Sequence, residues 1–372
     1  MSVLDADAHV EEWDQTFDDC YLAPAFRRRR PRIVGAGHRA YWLIDDQLFP
    51  RLVGRGCHIL GTPTGYGTVP TEYTTAKGED VASMELRSVE ARIQQNVREG
   101  IDLQVLYPTL FLAYPLTADP ALAAALCRSY NNWIADVCRQ RSDKLKWVAV
   151  VSLDDVPSAV EEMRRYRHDL DPVGVVILGT AGETNLDHPR LAPFWETAAA
   201  LDLPVAIHVG WPCPPLSNLY DRLYDSIVIP FALPTLMAFN AVLSGGILDR
   251  HPNLRVGFFE LGSQWVPFLI DRMSHYYQFV AERAPAARPA AQRPPLEYLQ
   301  SGQVYITCEV DDRLLPQVMA LMGEDQIFFA SDIPHGDREP DAVKTLWART
   351  DLTEPAKRKI LYDNAARFYR LS

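Results

Sequence analysis

Eight short apolar runs, each followed by a stretch with helical spacing, constrain the fold of this chain more than any other feature. The runs lie at 2–7, 102–107, 146–152, 173–178, 204–209, 254–260, 303–309 and 326–331. Most are apolar on both faces, as parallel strands covered by helices are. Helical spacing is found at 85–100, 119–141, 156–169, 190–202, 231–250, 263–284, 312–323 and 354–370. Eight strand–helix units in 372 residues predict an α/β fold, a distorted (β/α)8 TIM barrel.

The structural alternative is an open doubly wound sheet. Such a sheet usually carries a Gly-rich phosphate-binding turn after a strand, and none of the eight runs has one. We therefore expect a single barrel domain over 1–372.

Three segments do not follow the strand–helix alternation. Residues 10–84 are rich in Gly, Pro, Arg and aromatic residues, and we expect an insertion after strand 1 that covers the active-site end of the barrel. A hairpin is predicted within it, around Asp45-Asp46-Gln47. Residues 211–230 are expected to be irregular and to line the same end, and 284–296 to form an exposed connection.

Charge and cysteine usage narrow the class of partner. The net charge of −11, from 37 basic and 48 acidic residues, disfavours nucleic-acid binding, which needs clustered Lys and Arg. The six cysteines are scattered without a C-x-x-C pair, as expected for reduced thiols of a cytosolic protein. No N-terminal signal pattern and no uninterrupted apolar stretch of about 18 residues is present. The expectation is a soluble, cytoplasmic protein without a membrane partner.

Metal-ligating residue types recur where the predicted strands end. Asp7 and His9 are two positions apart, so a strand directs both to the same face. His208, Glu260 and Asp332 end strands 5, 6 and 8. The carboxyl ends of barrel strands are where this architecture places its chemistry. A carboxylate–imidazole set there suits one divalent ion such as Zn²⁺, which activates water or polarises a substrate oxygen. Taken singly, His208 also fits a core histidine and Asp332 a helix N-cap.

Four motifs occur in a fixed order along nearly the whole chain. They are Asp7-Ala8-His9-Val10-Glu11, Pro204-Val205-Ala206-Ile207-His208, Arg250-His251-Pro252-Asn253-Leu254-Arg255-Val256 and Ala330-Ser331-Asp332-Ile333-Pro334-His335. The ordered set resembles the amidohydrolase-related family, in the branch of aminocarboxymuconate semialdehyde decarboxylase and the resorcylate decarboxylases. The resemblance implies a distorted TIM barrel with one divalent metal, zinc or manganese. It also implies that Asp7, His9, His208 and Asp332 are the metal ligands.

One position departs from that family pattern. The decarboxylases have a catalytic His at or just after the end of strand 6, whereas this chain has Glu260 and no His within 257–265. A Glu beside a metal acts as a general base toward water, but it cannot become cationic to hold a substrate carboxylate. The departure therefore favours hydrolysis or hydration. In the structural alternative Glu260 only orients His208.

Four further residues are predicted to line the pocket. Arg51 in the insertion is placed to bind a substrate carboxylate, with a surface ion pair as its alternative. Tyr107 and Trp211 offer an aromatic wall for a flat substrate or else ordinary packing. His335 lines the pocket or orients Asp332.

The leading hypothesis is a metal-dependent hydrolase that acts on a small cyclic or aromatic carboxylated compound. Asp332 takes a proton from metal-bound water and delivers it to the leaving group, and Glu260 assists. The alternative is a non-oxidative, metal-dependent decarboxylase of an aromatic or muconate-type acid, in which Asp332 protonates the ring carbon. A metal-stabilised scaffold without catalysis is the remote third reading. The resemblance implies a homodimer or larger homo-oligomer, and the aromatic insertion offers a surface for it.

Overall fold

The computed structural model describes residues 2–36, 39–59, 63, 80–113 and 116–371. Eleven strands occur in these residues. They are β1 (Leu4–Val10), β2 (Arg32–Ala36), β3 (Arg39–Ile44), β4 (Gln47–Phe49), β5 (Leu103–Pro108), β6 (Leu145–Val150), β7 (Gly174–Leu178), β8 (Val205–His208), β9 (Val256–Phe259), β10 (Val304–Cys308) and β11 (Ile327–Phe329). Eight of them form one parallel sheet in the order β1-β5-β6-β7-β8-β9-β10-β11. The eight strand predictions are confirmed.

The sheet is nearly closed into a barrel by backbone contacts between its first strand and the loop after its last. The His9 amide donates to the Ile333 carbonyl at 2.6 Å, and the Asp332 amide donates to the Asp7 carbonyl at 3.1 Å. These bonds join the carboxyl ends of β1 and β11. The predicted TIM barrel is thereby confirmed, and its seam lies beside the predicted metal ligands.

Helices cover the outside of the barrel between the strands. The longer ones in the described residues are Val89–Glu99, Pro120–Arg139, Val156–Asp169, Ala192–Ala200, Leu233–Ser244, Val266–Arg283, Leu315–Met322 and Ala342–Ala348. The C-terminal helical stretch consists of Glu354–Arg358, a π-turn at Lys359–Asp363, and Asn364–Tyr369. The helix Ala342–Ala348 was absent from the sequence prediction.

The segment after β8 differs from its prediction. Residues 211–230 were expected to be irregular, yet Leu223–Ser226 and a π-turn at Ile227–Phe231 lead directly into Leu233–Ser244. The combined helix, Leu223–Ser244, has the length and composition of a membrane span, although no uninterrupted apolar run in the sequence does. Half of its most apolar window is buried in the protein.

The described part of the insertion carries a second, three-stranded antiparallel sheet, β2-β3-β4. Asp45 and Asp46 form the turn between β3 and β4, which confirms the predicted hairpin. Arg29 bonds to Asp45 at 2.6 Å and to Asp119 at 2.5 Å, so the insertion is attached to the loop after β5. Residues 37–38, 60–62 and 64–79 of the predicted insertion lie outside the described residues. Residues 284–296 are mostly exposed, as predicted.

Candidate active site

Six metal-ligating side chains converge at the carboxyl ends of the barrel strands. Asp7 and His9 lie on β1, His208 is the last residue of β8, Glu260 follows β9, and Asp332 and His335 follow β11. The chain thus brings together residues more than 300 positions apart. All four predicted metal ligands, Asp7, His9, His208 and Asp332, are in this cluster. Glu260 and His335 are its other two members.

The atoms that face each other in the cluster have no hydrogen-bond partner. They are both carboxylate oxygens of Asp7, Nε2 of His9, Nε2 of His208 and Oε2 of Glu260. Burying such groups unpaired is costly, so their joint occurrence indicates a missing common partner. Carboxylate oxygens and imidazole nitrogens make that partner a divalent cation.

The donor atoms are spaced as ligands of a single ion are. The Nε2 atom of His9 lies 3.5 Å from Asp7 Oδ1 and 3.3 Å from Glu260 Oε2. The Nε2 atom of His208 lies 3.4 Å from Asp7 Oδ2 and 3.1 Å from Glu260 Oε2. Asp332 Oδ1 lies 3.4 Å from His9 Nε2.

Two overlapping sets of potential ligands are present in the described residues. Asp7, His9, His208 and Glu260 form the first set. The second set consists of His9, Glu260, Asp332 and His335. Within each set, all ligand atoms lie within 4.8 Å of one another. The cluster therefore has one side centred on the β1 and β8 ligands and another side centred on the residues after β11.

Hydrogen bonds on the far side of each ring fix the orientation of the two central imidazoles. His9 Nδ1 lies 2.9 Å from the Pro108 carbonyl oxygen, and His208 Nδ1 lies 2.9 Å from the Val209 carbonyl oxygen. A carbonyl oxygen accepts a hydrogen bond from Nδ1–H, so the neutral ring presents its Nε2 lone pair to the cluster. This is the usual arrangement of histidines that bind metals.

Burial and the neighbouring charges separate the pKa values of the acidic groups. Burial and then the Glu260 carboxylate raise the pKa of the Asp332 carboxyl well above its usual range. Burial alone would raise the pKa of Glu260 too, but in the metal-free protein the protonated His208 imidazole outweighs burial and holds that pKa well below its usual range. Burial likewise lowers the pKa of His9. Such separation of titrating groups is characteristic of functional sites.

Two of the acidic residues have an unusual backbone conformation. Glu260 has φ +57° and Asp332 has φ +54°. Both values lie in the left-handed region, which residues other than glycine seldom adopt. Strained residues of this kind cluster at functional sites, where the surrounding structure holds them in place. Both carboxylates lie within 3.5 Å of His9 Nε2, at 3.3 Å for Glu260 and 3.4 Å for Asp332.

The sequence analysis missed three supporting residues. Asp5, two positions before Asp7, accepts hydrogen bonds from the Ser331 amide at 2.9 Å and the Ser331 hydroxyl at 2.5 Å. It thereby joins β1 to the loop that carries Asp332, and the period-two alternation of Asp5 with Asp7 was a signal for it. Thr109 lies 3.0 Å from His335 Nε2 through its hydroxyl. No sequence signal pointed to that residue.

Tyr107, a predicted pocket residue, is fully buried beside the two central imidazoles. Its ring centroid is 6.0 Å from that of His9 and 5.7 Å from that of His208. Its hydroxyl lies 2.5 Å from the hydroxyl of Tyr369, which donates to the Ala6 carbonyl. No spacing in the sequence predicted that a C-terminal tyrosine would reach the barrel interior, and it is the third missed residue.

Two predicted pocket residues lie apart from the cluster. Trp211 is buried, donates to the Ser226 hydroxyl at 2.9 Å and packs on Phe231 with ring centroids 4.4 Å apart. Arg51 is exposed, near the segment that follows β8. The binding roles of both residues remain predictions.

Comparison with known proteins identifies the family. The amidohydrolase family model matches residues 7–371. This chain belongs to the amidohydrolase family. The suspected resemblance is thereby confirmed.

Three curated relatives of this amidohydrolase are informative. The gamma-resorcylate decarboxylase of Rhizobium sp. (strain MTP-10005) is 28% identical over 68% of this chain and 78% of its own length. The 2-amino-3-carboxymuconate-6-semialdehyde decarboxylase of Dictyostelium discoideum is 26% identical over 76% of each chain. The 2-keto-4-carboxy-3-hexenedioate hydratase of Sphingobium sp. is 26% identical over 47% of this chain and 52% of its own length.

Solved structures support the same fold. An amidohydrolase from Mycobacterium avium subsp. paratuberculosis superimposes with a TM-score of 0.78 over 99% of both chains, at 22% identity. The 2,6-dihydroxybenzoate decarboxylase of Rhizobium, complexed with 2,6-dihydroxybenzoate, gives 0.67 at 25% identity over 79% of this chain and 93% of that one. A dihydroxybenzoic acid decarboxylase from Polaromonas sp., with bound manganese and 2-nitroresorcinol, gives 0.66 at 21% identity over 80% and 91%.

Proposed function

We propose that this amidohydrolase is a metal-dependent carboxy-lyase that removes CO₂ from a small aromatic or related unsaturated acid. The relatives named above favour this reaction over the hydrolysis that the sequence analysis placed first. The observation that carries the proposal is the position of Asp332. Its Oδ1 lies 3.4 Å from His9 Nε2 and 2.6 Å from His335 Nδ1, beside the cation cluster and next to a second titratable group.

The residues present fit one divalent ion, because the orphaned nitrogen and oxygen atoms point at a common centre. Asp7, His9 and His208 are the ligands that both the sequence and the geometry support, together with a carboxylate from Glu260 or Asp332. When bound, the ion supplies a Lewis acid that holds the oxygen atoms of the substrate. Between zinc and manganese, we favour manganese, since the cluster is rich in carboxylate oxygens and a solved decarboxylase of this fold carries that ion.

Asp332 is placed to transfer the proton that decarboxylation requires. Its carboxyl donates a proton to the substrate carbon that carries the carboxylate. The bond from that carbon to the carboxylate breaks, the electron pair stays on the carbon and forms the new C–H bond, and CO₂ leaves. Thr109 and His335 form a short chain behind Asp332, through which the proton is replaced.

Addition of water is the second candidate, and Glu260 favours it. Its carboxylate takes the position at which the decarboxylases have a histidine, and its Oε2 lies 3.1 Å from His208 Nε2, at the metal cluster. An ionised carboxylate beside a metal accepts a proton from water. One relative is a hydratase, which is consistent with this reading.

The two candidates differ in their products. We would incubate the manganese-loaded protein with a panel of carboxylated phenols and unsaturated acids in ¹⁸O-labelled water and follow both CO₂ release and label in the product. Release of CO₂ with no label in the organic product supports the carboxy-lyase, and Asp332→Asn should abolish that release. Label in the organic product without CO₂ release would refute the carboxy-lyase and favour the water-adding enzyme.

We also propose that the protein is a homodimer or larger homo-oligomer, assembled through the helix after β8. The aromatic residues Trp42 and Phe49 of the insertion are buried, which removes them from the predicted adhesive surface. Exposed apolar side chains gather instead at Leu219, Tyr224 and Val228. Light scattering should show a multimer that Tyr224→Glu dissociates. Dissociation by Val53→Glu, on the insertion, but not by Tyr224→Glu would favour the insertion instead.

A further inference from the structure

We propose that a small apolar cavity beside the metal cluster binds a short substituent of the substrate, a group of one carbon and one oxygen atom such as methoxy. The inference rests on the proposed function for the substrate's ring and carboxylate. It adds a residue that determines specificity, Thr180, in the loop after β7. The cavity then selects among acids by what their rings carry.

The cavity lies at the carboxyl ends of β5, β6 and β7, which occupy the part of the barrel between β1 and β8. The metal cluster takes its donors from β1, from β8 and from the loops after β9 and β11. A compound held by the cluster can therefore extend toward the ends of β5 to β7. Barrel enzymes build their sites from the ends of several strands, so this region belongs to the surroundings of the substrate.

Strand register places three walls of the cavity on the same face as a metal ligand. Leu178 pairs with His208, and Val150 pairs with Val176, two residues before Leu178. Paired residues of neighbouring strands, and residues two apart in one strand, point to the same face of a sheet. Leu178, Val176 and Val150 therefore face the barrel interior, as His208 does, and all three line the cavity.

The cavity is also adjacent to the two central imidazoles through the backbone. Pro108 lines the cavity, and its carbonyl oxygen lies 2.9 Å from His9 Nδ1. Leu112 lines it too, and its carbonyl accepts a hydrogen bond from the amide of Trp211, three residues after His208, at 3.0 Å. A ring bound at the cluster thus has the cavity within reach of a short substituent.

The walls of the cavity are apolar except for one hydroxyl. Phe111, Leu153 and Ile177 complete the aromatic and aliphatic lining, and no charged side chain lines it in the part of the chain that the structure describes. An ionised group would lose its hydration there without a compensating partner, so the cavity suits an uncharged one. Its volume of about 30 Å³ is roughly twice what one water molecule needs, which matches two non-hydrogen atoms.

Thr180 supplies the hydroxyl. The residue is 3% exposed, and its Oγ1 has no hydrogen-bond partner among the described residues. An unpaired buried hydroxyl is unfavourable, and nearly all such groups in native proteins are bonded. An ether oxygen in the cavity would accept a hydrogen bond from Thr180 while its methyl group contacts the apolar walls. A hydrocarbon group would leave the hydroxyl unpaired, and a lone hydroxyl would leave the apolar part empty.

The test measures the affinity of substituted acids for the manganese-loaded protein by calorimetry. The probes are 2,6-dihydroxybenzoate and its derivatives with an ethyl or a methoxy group meta or para to the carboxylate. We expect methoxy at one of these positions to tighten binding at least about tenfold relative to hydrogen, since one methylene group in an apolar pocket is worth about 10–200-fold. Methoxy should also bind more tightly than ethyl, which has the same size but cannot accept a hydrogen bond.

Two variants separate the hydroxyl of the cavity from its volume. Thr180→Val replaces the hydroxyl with a methyl group, so the advantage of methoxy over ethyl should disappear. Its unfolding midpoint should not fall, because the hydroxyl has no protein partner to lose. Val150→Ile fills the cavity with one methyl group, so both substituents should lose their advantage over hydrogen. Thr184→Val is the matched control, since Thr184 lies in the same loop and does not line the cavity; it should keep the methoxy preference.

The outcome is separable from that of the proposed function. A cavity that holds only water would give equal affinities for substituted and unsubstituted acids, or a preference that Thr180→Val and Val150→Ile leave unchanged; either result overturns the inference, as does failure of every probe to bind. A methoxy preference that both variants abolish, without CO₂ release from any probe, refutes the carboxy-lyase and leaves the assignment of the cavity intact. Release of CO₂ from all probes with equal affinities refutes the assignment and leaves the function intact.

Discussion

Single side chains decide what this site does, and the sequence reveals some of them better than others. Asp7, His9, His208 and Asp332 were predictable because strand alternation and strand ends are visible in one dimension. The contacts of Glu260 with both imidazoles were not, because they depend on how the loop after β9 folds back against β1 and β8. The same holds for Thr109, whose partner His335 lies 226 positions away.

Thr109 offers a test at this scale. Its hydroxyl forms a hydrogen bond with His335 Nε2, and the His335 ring stacks on His9 with ring centroids 4.2 Å apart. Thr109→Val leaves a buried ring nitrogen unpaired, at a cost of about 1–3 kcal/mol, and frees the choice of tautomer. We expect turnover to fall about tenfold with a shifted pH profile, while Thr109→Ser retains both. Equal profiles for Thr109→Val and the parent protein would exclude the proton chain.

Glu12 gives a pH dependence of stability. Its carboxyl accepts hydrogen bonds from the Thr109 and Leu110 amides, and burial raises its pKa to about 8. The folded state thus holds a proton that the unfolded state releases above its ordinary pKa of 4.5. The contribution of Glu12 to the free energy of unfolding is therefore fully present below about pH 4.5 and is lost as the pH rises to about 8.

The matched variant for this effect is Glu12→Gln, which cannot titrate. At roughly 1.4 kcal/mol for each pKa unit, and allowing for relaxation, the parent protein should lose on the order of 3 kcal/mol relative to Glu12→Gln between pH 5 and pH 8. Urea denaturation at both pH values measures it. A difference between parent and variant that does not change with pH would contradict the raised pKa.

At the scale of elements, the sequence predicts what is periodic and misses what long-range packing imposes. All eight barrel strands were found, although β1 runs to Val10 with an irregular register between Asp5 and Ala8. Polar residues that face a site interrupt the apolar pattern, which hid the end of that strand. The helical start at Leu223 was hidden in the same way, because prolines on both sides suggested a loop and Pro230 is accommodated by a π-turn.

The packing of β7 against the helix after β8 depends on one glycine. A Cβ at Gly179 would overlap the carbonyl group of Pro234 and lie 2.5 Å from the Thr235 amide nitrogen. Thr235 in turn lies 3.4 Å from the carbonyl oxygen of His208 through its hydroxyl. Backbone cannot give way as a flexible side chain does, so Gly179→Ala should push this helix outward.

We expect Gly179→Ala to reduce the free energy of unfolding by about 3 kcal/mol and to weaken metal binding through His208. Denaturant unfolding and metal titration measure the two effects. Gly35→Ala is the control, since a Cβ there meets nothing within 4 Å. Similar stabilities of the two variants would show that the helix position tolerates the methyl group.

At the scale of the whole molecule, the barrel concentrates negative charge where its seam closes. A chain of net charge −11 places the carboxylates of Asp7, Glu260 and Asp332 within one small cluster. Without a cation these groups repel one another in a buried site, so the fold is less stable than its core alone would make it. Occupation of the cluster by a divalent ion should therefore stabilise the entire barrel, since β1, β8, β9 and the loop after β11 all supply donors.

Removal of the metal tests this coupling. Free Mn²⁺ at about 100 times its dissociation constant should add about 2.7 kcal/mol to the free energy of unfolding, which for a chain of this size is a rise in Tm of about 3–5 °C over the chelator-treated protein. Calorimetry with and without EDTA measures the shift. His208→Ala should remove the response to Mn²⁺. Glu183→Gln should keep it, because Glu183 is an exposed carboxylate in the loop after β7. A Tm that changes with neither chelator nor Mn²⁺, or an unchanged response in His208→Ala, would contradict binding of the ion at this cluster. An ion that binds only the folded cluster must raise the stability of the fold.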